Sequence, residues 1–237
     1  MFKIIRANER HLADHGWLKS YFLFSFADYY DPANTNFGPL RVFNDDTIAG
    51  NSGFPQHPHH NMEIVTVMLK GEITHQDSTG TKSTIKAGEV QRMTAGTGLT
   101  HSEANEGEEE VHMYQIWFIP GTQGLSPSYE QKELNFLDTD NELIPLVSGQ
   151  KVLEDVVYMN SNSTIYWCNL ETDKTVGMDT FEVREIFVYV KEGSLTVNGH
   201  SLGTNDQLRL SRTEKLDFKA TTDCQFILID LPSEFNF

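Results

Sequence analysis

Glu63-Ile-Val-Thr-Val-Met-Leu-Lys-Gly71 is an apolar and β-branched run that ends at a glycine. This composition is typical of a β-strand that leads into a turn. A similar pattern returns later in the chain, where Glu185-Ile186 is followed after six residues by Gly193. Glu63 and Glu185 lie 122 positions apart (185 minus 63). A duplicated β domain explains this spacing, but so does chance, because glycine commonly follows a β run.

Short runs of the same kind continue around this stretch and are separated by Gly, Asn, Asp or Thr. Examples are Glu72–His75, Gln91–Thr94 and Val111–Ile119. Glycine at the breaks supplies the positive φ that tight turns require. The pattern therefore predicts an all-β protein built as an antiparallel sandwich or barrel.

A polar stretch from Gly121 to about Gly149 interrupts the series of strands. It contains Pro127, Pro145 and the acidic run Asp138–Glu142. Such a composition is typical of a linker between domains. We predict a boundary near residue 135, which gives domains 1–135 and 136–237.

Composition excludes several classes of protein. The chain has 237 residues, 26 aromatic side chains (15 Phe, 8 Tyr and 3 Trp) and a mean hydropathy of −0.40, so neither disorder nor a membrane span is expected. With 18 basic against 34 acidic residues, the formal charge is −16, which disfavours direct nucleic-acid binding. Charged residues among the first ten interrupt the apolar stretch that a signal peptide needs, so a cytoplasmic protein is predicted.

Two cysteines occur, Cys168 and Cys224, both in apolar runs typical of strands. They lie 56 positions apart and form no CxxC motif (224 minus 168). We interpret them as buried thiols.

Histidines are concentrated in the first half of the chain, where eight of the nine lie before residue 113. His57 and His59 are two positions apart, and so are His101 and Glu103. In an extended strand, such residues point to the same face. Neighbouring strands with these pairs would bring three imidazoles and one carboxylate together, which is a metal-binding set.

The His-x-His motif alone is weak, because nine histidines in 237 residues often produce it by composition. The joint arrangement with His101 and Glu103 carries the prediction. His60 is expected to point away as an exposed loop residue. His75 and His112 alternate with apolar residues and are interpreted as hydrogen-bonded structural residues or as partners of metal ligands.

Longer motifs around these residues resemble the pirin family, and the likeness covers most of the first half of the chain. It is closest to bacterial pirin-like proteins. The motifs are Gly53–His59, Met62-Glu63, Gly71–Ser78 and Gly88–Glu103, with further matches at Gly16-Trp17, Phe24–Phe26, Tyr29–Asp31, Arg41–Asp45 and Tyr114–Trp117.

The resemblance implies a bicupin, with two antiparallel β-barrel or jelly-roll domains. It implies that residues 1–135 form a metal-binding cupin whose ligands are His57, His59, His101 and Glu103. General cupins place the glutamate earlier, at the position of Glu63; we favour Glu103, with Glu63 as a neighbour of the site or a spare ligand. At an offset of 122, Asp179 and Phe181 replace the first two histidines, so residues 136–237 are predicted to form a cupin without metal.

The resemblance also implies function. One divalent transition metal per chain is expected, with iron favoured over Mn, Co, Ni, Cu or Zn. The expected activity is that of a quercetin 2,3-dioxygenase, an oxidoreductase that opens a flavonol with dioxygen and releases carbon monoxide. Its partners would be a small aromatic substrate and O2, and Glu103 would accept a proton from the substrate. The alternative is a non-enzymatic, metal-dependent regulator that binds a protein partner.

Overall fold

Antiparallel β-strands dominate both halves of the chain in the computed structural model, which describes residues 2–235. The first unit comprises residues 11–134 and 157–161. The second unit comprises residues 2–10, 135–156 and 162–235. Helix within residues 2–235 consists of single 3-10 turns at Ala7–Glu9 and Phe136–Asp138, and no helix there is long and apolar enough to cross a membrane.

Two sheets form the first unit. The larger has the order β12-β9-β6-β11-β4-β3-β2, and the smaller has the order β5-β10-β7-β8. Their strands are β2 (His11–Asp14), β3 (Leu18–Phe22), β4 (Leu40–Ile48), β5 (Ser52–His59), β6 (Glu63–Lys70), β7 (Glu72–Asp77), β8 (Lys82–Lys86), β9 (Glu89–Thr94), β10 (Leu99–Asn105), β11 (Val111–Phe118) and β12 (Ser128–Glu133). A further short strand, β14 (Val157–Tyr158), belongs to the same unit.

Apolar side chains from both sheets form a core in this unit. Met68 and Met113 come from the larger sheet, whereas Ile73 and Ile85 come from the smaller one, and all four are fully buried. Burying each such side chain stabilises the fold by about 1.5–3 kcal/mol relative to leaving it in water. The two sheets are therefore held face to face, as in a jelly roll.

The second unit repeats this plan. Within this unit, the strands of the larger sheet have the order β1-β20-β17-β22-β15-β13, and those of the smaller sheet have the order β16-β21-β18-β19. The strands are β1 (Phe2–Ile5), β13 (Ile144–Ser148), β15 (Thr164–Leu170), β16 (Thr175–Asp179), β17 (Arg184–Glu192), β18 (Leu195–Val197), β19 (His200–Leu202), β20 (Gln207–Ser211), β21 (Lys215–Ala220) and β22 (Cys224–Pro232). The prediction of an all-β bicupin with jelly-roll domains is confirmed, although the sheets do not close into barrels.

The sequence repeat occupies equivalent places in the two units. Glu63 begins β6, which lies between β9 and β11, and Glu185 lies in β17, between β20 and β22. Gly71 and Gly193 follow these strands with φ values of 76° and 85°, which explains why glycine recurs there. A duplicated β domain therefore accounts for the repeat.

Each unit also includes a short segment that is distant in sequence from the rest of it. Strand β1, at the start of the sequence, pairs with β20 of the second unit. Residues 157–161 lie in the first unit although they come late in the sequence. The division at residue 135 stays a prediction about the domains.

Both cysteines lie in strands of the second unit, and both are buried and free, as predicted. Burial raises the pKa of each thiol to about 12. The thiols are therefore protonated and unreactive at neutral pH.

Candidate metal centre

Strands β5 and β10 bring three histidines together in the first unit. His101 lies directly opposite His57 in the antiparallel ladder, and His59 follows two residues after His57 on the same face. One nitrogen from each of the three rings lies within 4.8 Å of the others. The spacing of two and the strand pairing thus produce the predicted convergence.

A glycine permits the close approach of these strands. Gly53, on β5, lies opposite Ala104. A Cβ atom at Gly53 would lie 2.2 Å from the carbonyl oxygen of Glu103, which is too close for any side chain. The register also shifts between His101 and Glu103, so Glu103 lies opposite Phe54.

The hydrogen bonds of the histidines leave lone pairs free in the cluster. Nδ1 of His57 donates to the carbonyl oxygen of Pro55 at 2.8 Å, which leaves its Nε2 as an acceptor. The Nε2 atoms of His59 and His101 are buried and have no hydrogen-bond partner among residues 2–235. Buried polar atoms are normally satisfied, and a metal ion would satisfy both. The residues therefore fit a bound transition metal.

Electrostatics keep these rings in the form that binds metal. Burial lowers the pKa of His59 to about 4, and the neighbouring His57 acts in the same direction. Burial, with His57, His59 and His75 nearby, lowers the pKa of His101 to about 2. Both rings are thus neutral at neutral pH, as metal ligation requires.

Glu103 is fully buried beside His101. One oxygen of its carboxylate lies within 4.8 Å of ligand nitrogens of His101 and His75, so the structure places Glu103 in a second group that shares only His101 with the cluster of His57, His59 and His101. Burial raises the pKa of Glu103 to about 7, against the lowering effect of three hydrogen bonds. These come from Nε2 of Gln115 at 2.7 Å, Nε2 of Gln91 at 3.1 Å and Oγ1 of Thr66 at 3.5 Å.

The residues that hold Glu103 were not among the predicted site residues. The amide of Gln115 is oriented because its Oε1 accepts a hydrogen bond from Nε1 of Trp117 at 3.2 Å. Its Nε2 is then directed at Glu103. The available signal was a glutamine inside the apolar run Val111–Ile119, because a buried polar side chain in a strand needs a partner.

Glu63, the competing ligand, is engaged elsewhere. Its Oε2 accepts a hydrogen bond from the backbone N–H of Asn160 at 2.9 Å, and the Asn160 amide lies at 3.3 Å. Burial raises the pKa of Glu63, although these bonds act in the opposite direction. Within the described part of the chain, Glu63 belongs to neither group of clustered ligand atoms.

The remaining histidines near the motif have other surroundings. His60 is exposed, as expected for its opposite face. Nε2 of His112 lies 2.6 Å from Oδ1 of Asp45, which makes it a hydrogen-bonded structural residue. His75 is fully buried and contacts both His101 and Asp77.

A cavity of about 370 Å³ opens beside His57 and His59. This volume is within the range of small-molecule sites, about 300–1,000 Å³. The ring of Trp117 meets His59 edge-on, with 4.8 Å between the ring centroids. Other aromatic walls are Trp17, Phe22, Phe26 and Phe54, and polar groups are supplied by Ser20, Asn44, Asp46 and Gln115.

Asp46 is a buried carboxyl in the wall of this cavity. Burial raises its pKa to about 7, although a hydrogen bond from Ser20 favours the ionised form. The folded protein therefore binds a proton here that the unfolded chain releases near pH 4. Stability from this group is present at low pH and is lost as pH rises towards 7.

We expect Asp46→Asn to remove this pH dependence. Between pH 5 and pH 8 the variant should gain about 3 kcal/mol of unfolding free energy relative to the wild type. Urea unfolding of the metal-free proteins at both pH values measures this difference. If the difference in unfolding free energy between variant and wild type were the same at pH 5 and pH 8, the pKa of Asp46 would not be raised in the folded protein.

The second unit carries different side chains at the equivalent place. Asp179 of β16 lies opposite Lys215 of β21, where the first unit pairs His57 with His101. Phe181 is 72% exposed and has no atom that binds metal. The absence of a metal from this domain stays a prediction.

Two family models match the chain. The model named Pirin matches residues 5–118, and the model described as a quercetinase C-terminal cupin domain matches residues 146–231.

Relatives match nearly the whole chain. A quercetin 2,3-dioxygenase of Escherichia coli K12 is 39% identical over 234 residues, which is 98% of this chain and 99% of the relative. A pirin-like protein of Caulobacter vibrioides is 38% identical over 218 residues, or 92% and 94% of the two chains. The crystal structure of YhhW from E. coli has a TM-score of 0.93 and 37% identity, covering 100% of both chains. The bacterial pirin YhhW in complex with nickel(II) also gives 0.93 and 37%, over 99% of this chain and 100% of the other.

Proposed function

This chain belongs to the pirin family, and on that basis we propose that it is a metal-dependent dioxygenase of the quercetin 2,3-dioxygenase type. The observation that carries the proposal is the pair of buried, unpartnered Nε2 atoms of His59 and His101, together with the aromatic cavity that His59 and His57 line. The names of the relatives supply the reaction class.

We propose His57, His59, His101 and Glu103 as ligands of one divalent transition metal, with iron favoured by the resemblance. Imidazole and carboxylate ligands suit such ions, and the nickel(II) complex of the E. coli relative agrees with this class. When bound, the metal would lower the pKa of a substrate hydroxyl and leave positions for substrate and dioxygen.

The cavity suits a planar aromatic substrate. Aromatic walls contact flat rings over a large area, and Trp117, Phe26 and Phe54 lie in the lining together with His57 and His59. Phe26 and Trp117 brace each other edge to face at 5.3 Å, so this wall is already formed. A bound ring would displace water from the site and strengthen its polar interactions.

Glu103 is the proposed proton acceptor. A general base works best when its pKa is near the working pH, and burial raises the pKa of Glu103 to about 7. Hydrogen bonds from Gln115 and Gln91 hold the carboxylate in place. We therefore propose that Glu103, which lies behind the cavity wall next to Gln115, accepts the proton of a flavonol hydroxyl bound at the metal.

The test is quercetin turnover under air. The metal-loaded protein should release one carbon monoxide for each dioxygen consumed, because opening the flavonol ring with one dioxygen expels one carbon as carbon monoxide. Oxygen uptake and carbon monoxide release are measured together. His101→Ala mixed with the same amount of free metal controls for oxidation of quercetin in solution.

Quercetin bound to fully loaded wild type without carbon monoxide release would overturn the dioxygenase proposal. The metal-dependent regulator would then be the better account. Stoichiometric co-purification of a protein partner would support that alternative.

A further inference from the structure

A row of buried polar side chains leads from Asp77 through His75 to His101 of the histidine cluster. Oδ2 of Asp77 lies 3.1 Å from Nε2 of His75. Nδ1 of His75 lies 3.4 Å from Nδ1 of His101. His75 is fully buried and His101 is 1% exposed, so these contacts are screened little by water. A carboxylate is thus linked through one imidazole to a second one.

Hydrogen-bond accounting fixes the direction of this row. An ionised Asp77 can only accept, so Nε2 of His75 carries the proton and its Nδ1 accepts. Nδ1 of His101 must then carry the proton and donate to His75. The opposite direction would place a proton on Nε2 of His101, which is buried without an acceptor among the described residues.

We propose that Asp77 and His75 are positioning residues that set the tautomer of His101, so that its Nε2 lone pair faces His57 and His59. The inference rests on the proposed metal centre. His57 achieves the same result through the main chain, because its Nδ1 donates to the carbonyl oxygen of Pro55. For His101 the tautomer is set by the side chains of His75 and Asp77, so a substitution at Asp77 can change it.

Asp77→Asn is the variant that reverses the row. Oδ1 of Asp77 accepts from the backbone N–H groups of Thr79 at 2.8 Å and Thr81 at 3.2 Å. The asparagine introduced in this variant must keep its side-chain oxygen there, because an amide NH2 cannot accept these bonds. Its NH2 then faces Nε2 of His75 and donates to it. His75 consequently donates from Nδ1 to His101, and the proton of His101 moves to Nε2.

The first measurement needs no metal. Long-range ¹H–¹⁵N correlations of histidine-labelled, metal-free protein distinguish the two neutral tautomers. We expect His101 to carry its proton on Nδ1 in the wild type and on Nε2 in Asp77→Asn. A wild-type His101 with its proton on Nε2 would overturn the proposal, whether or not the protein binds metal.

The second measurement is nickel(II) affinity by calorimetry. Loss of a residue that orients a ligand typically weakens binding by about 10- to 100-fold, and we expect this for Asp77→Asn. Asp77→Ala should weaken binding less, because it releases His75 without reversing it. If Asp77 had only a structural role, Asp77→Ala would weaken nickel binding more than Asp77→Asn, because asparagine retains the bonds to Thr79 and Thr81 that alanine loses.

Asp45→Asn is the matched control. Asp45 also pairs with a histidine, His112, but this pair has no hydrogen-bond link to His101 among those described. The nickel affinity of Asp45→Asn should equal that of the wild type. Wild-type affinity in Asp77→Asn, or a greater loss in Asp77→Ala, would overturn the proposal. No nickel binding by the wild type would instead refute the metal centre, while the tautomer measurement still tests the row.

Discussion

His101→Ala should lose the metal, with an affinity lower by more than about 100-fold, beyond what loss of an orienting partner causes. His101 lies at the centre of the cluster: its ring centroid is 4.4 Å from that of His57 and 4.9 Å from that of His59. Without the His101 ring, the cluster keeps only the two imidazoles of β5. It also loses the one histidine that belongs both to this cluster and to the group that contains Glu103. Elemental analysis and calorimetry of wild type and variant measure the loss.

Two further variants make this result specific. His57→Ala removes a half-buried ring, so it should lose metal at little cost to folding. His60→Ala removes an exposed imidazole one residue from His59 and should keep full occupancy. Full occupancy in both His101→Ala and His57→Ala would show that the proposed ligand set is wrong.

Much of the fold could be predicted from local patterns. Runs such as Glu63–Lys70 became strands because apolar, β-branched residues pack well between neighbours, and β6 is buried along almost its whole length. The pairing of β1 with β20 could not be predicted. The four residues of β1 have the composition of a strand, but they do not identify the sheet edge with which the strand pairs.

The site could be predicted in part for the same reason. A spacing of two fixes the face of a strand, which is why His57 and His59 converge with His101. His75 and Asp77 are also two positions apart and therefore share a face of β7. The sequence does not show that β7 pairs with β10, so the contact of His75 with His101 could not be predicted. The cavity walls come from strands that are far apart in sequence, with Phe22 on β3 and Trp117 on β11.

Glu103→Gln and Glu63→Gln should separate the two candidate ligands. Both changes remove one buried negative charge and keep the shape of the side chain. The Glu103 variant can fold: Gln115 still donates to the new amide oxygen, and the new NH2 can turn to Oε1 of Gln91, which has no partner among residues 2–235. A neutral amide is a poorer ligand than a carboxylate, so metal affinity should fall.

Metal affinity of Glu63→Gln should fall by less than about tenfold, below the loss typical even of an orienting partner, because Glu63 is bonded to Asn160 and lies outside the cluster. With metal at saturation, Glu103→Gln should also turn over quercetin about 100-fold more slowly, since it has lost the proposed base. Calorimetry gives the first comparison and carbon monoxide release the second. A larger loss of affinity in Glu63→Gln would assign the fourth ligand to the earlier glutamate, as in general cupins. Equal turnover by saturated wild type and Glu103→Gln would remove Glu103 as the proton acceptor while leaving it as a ligand.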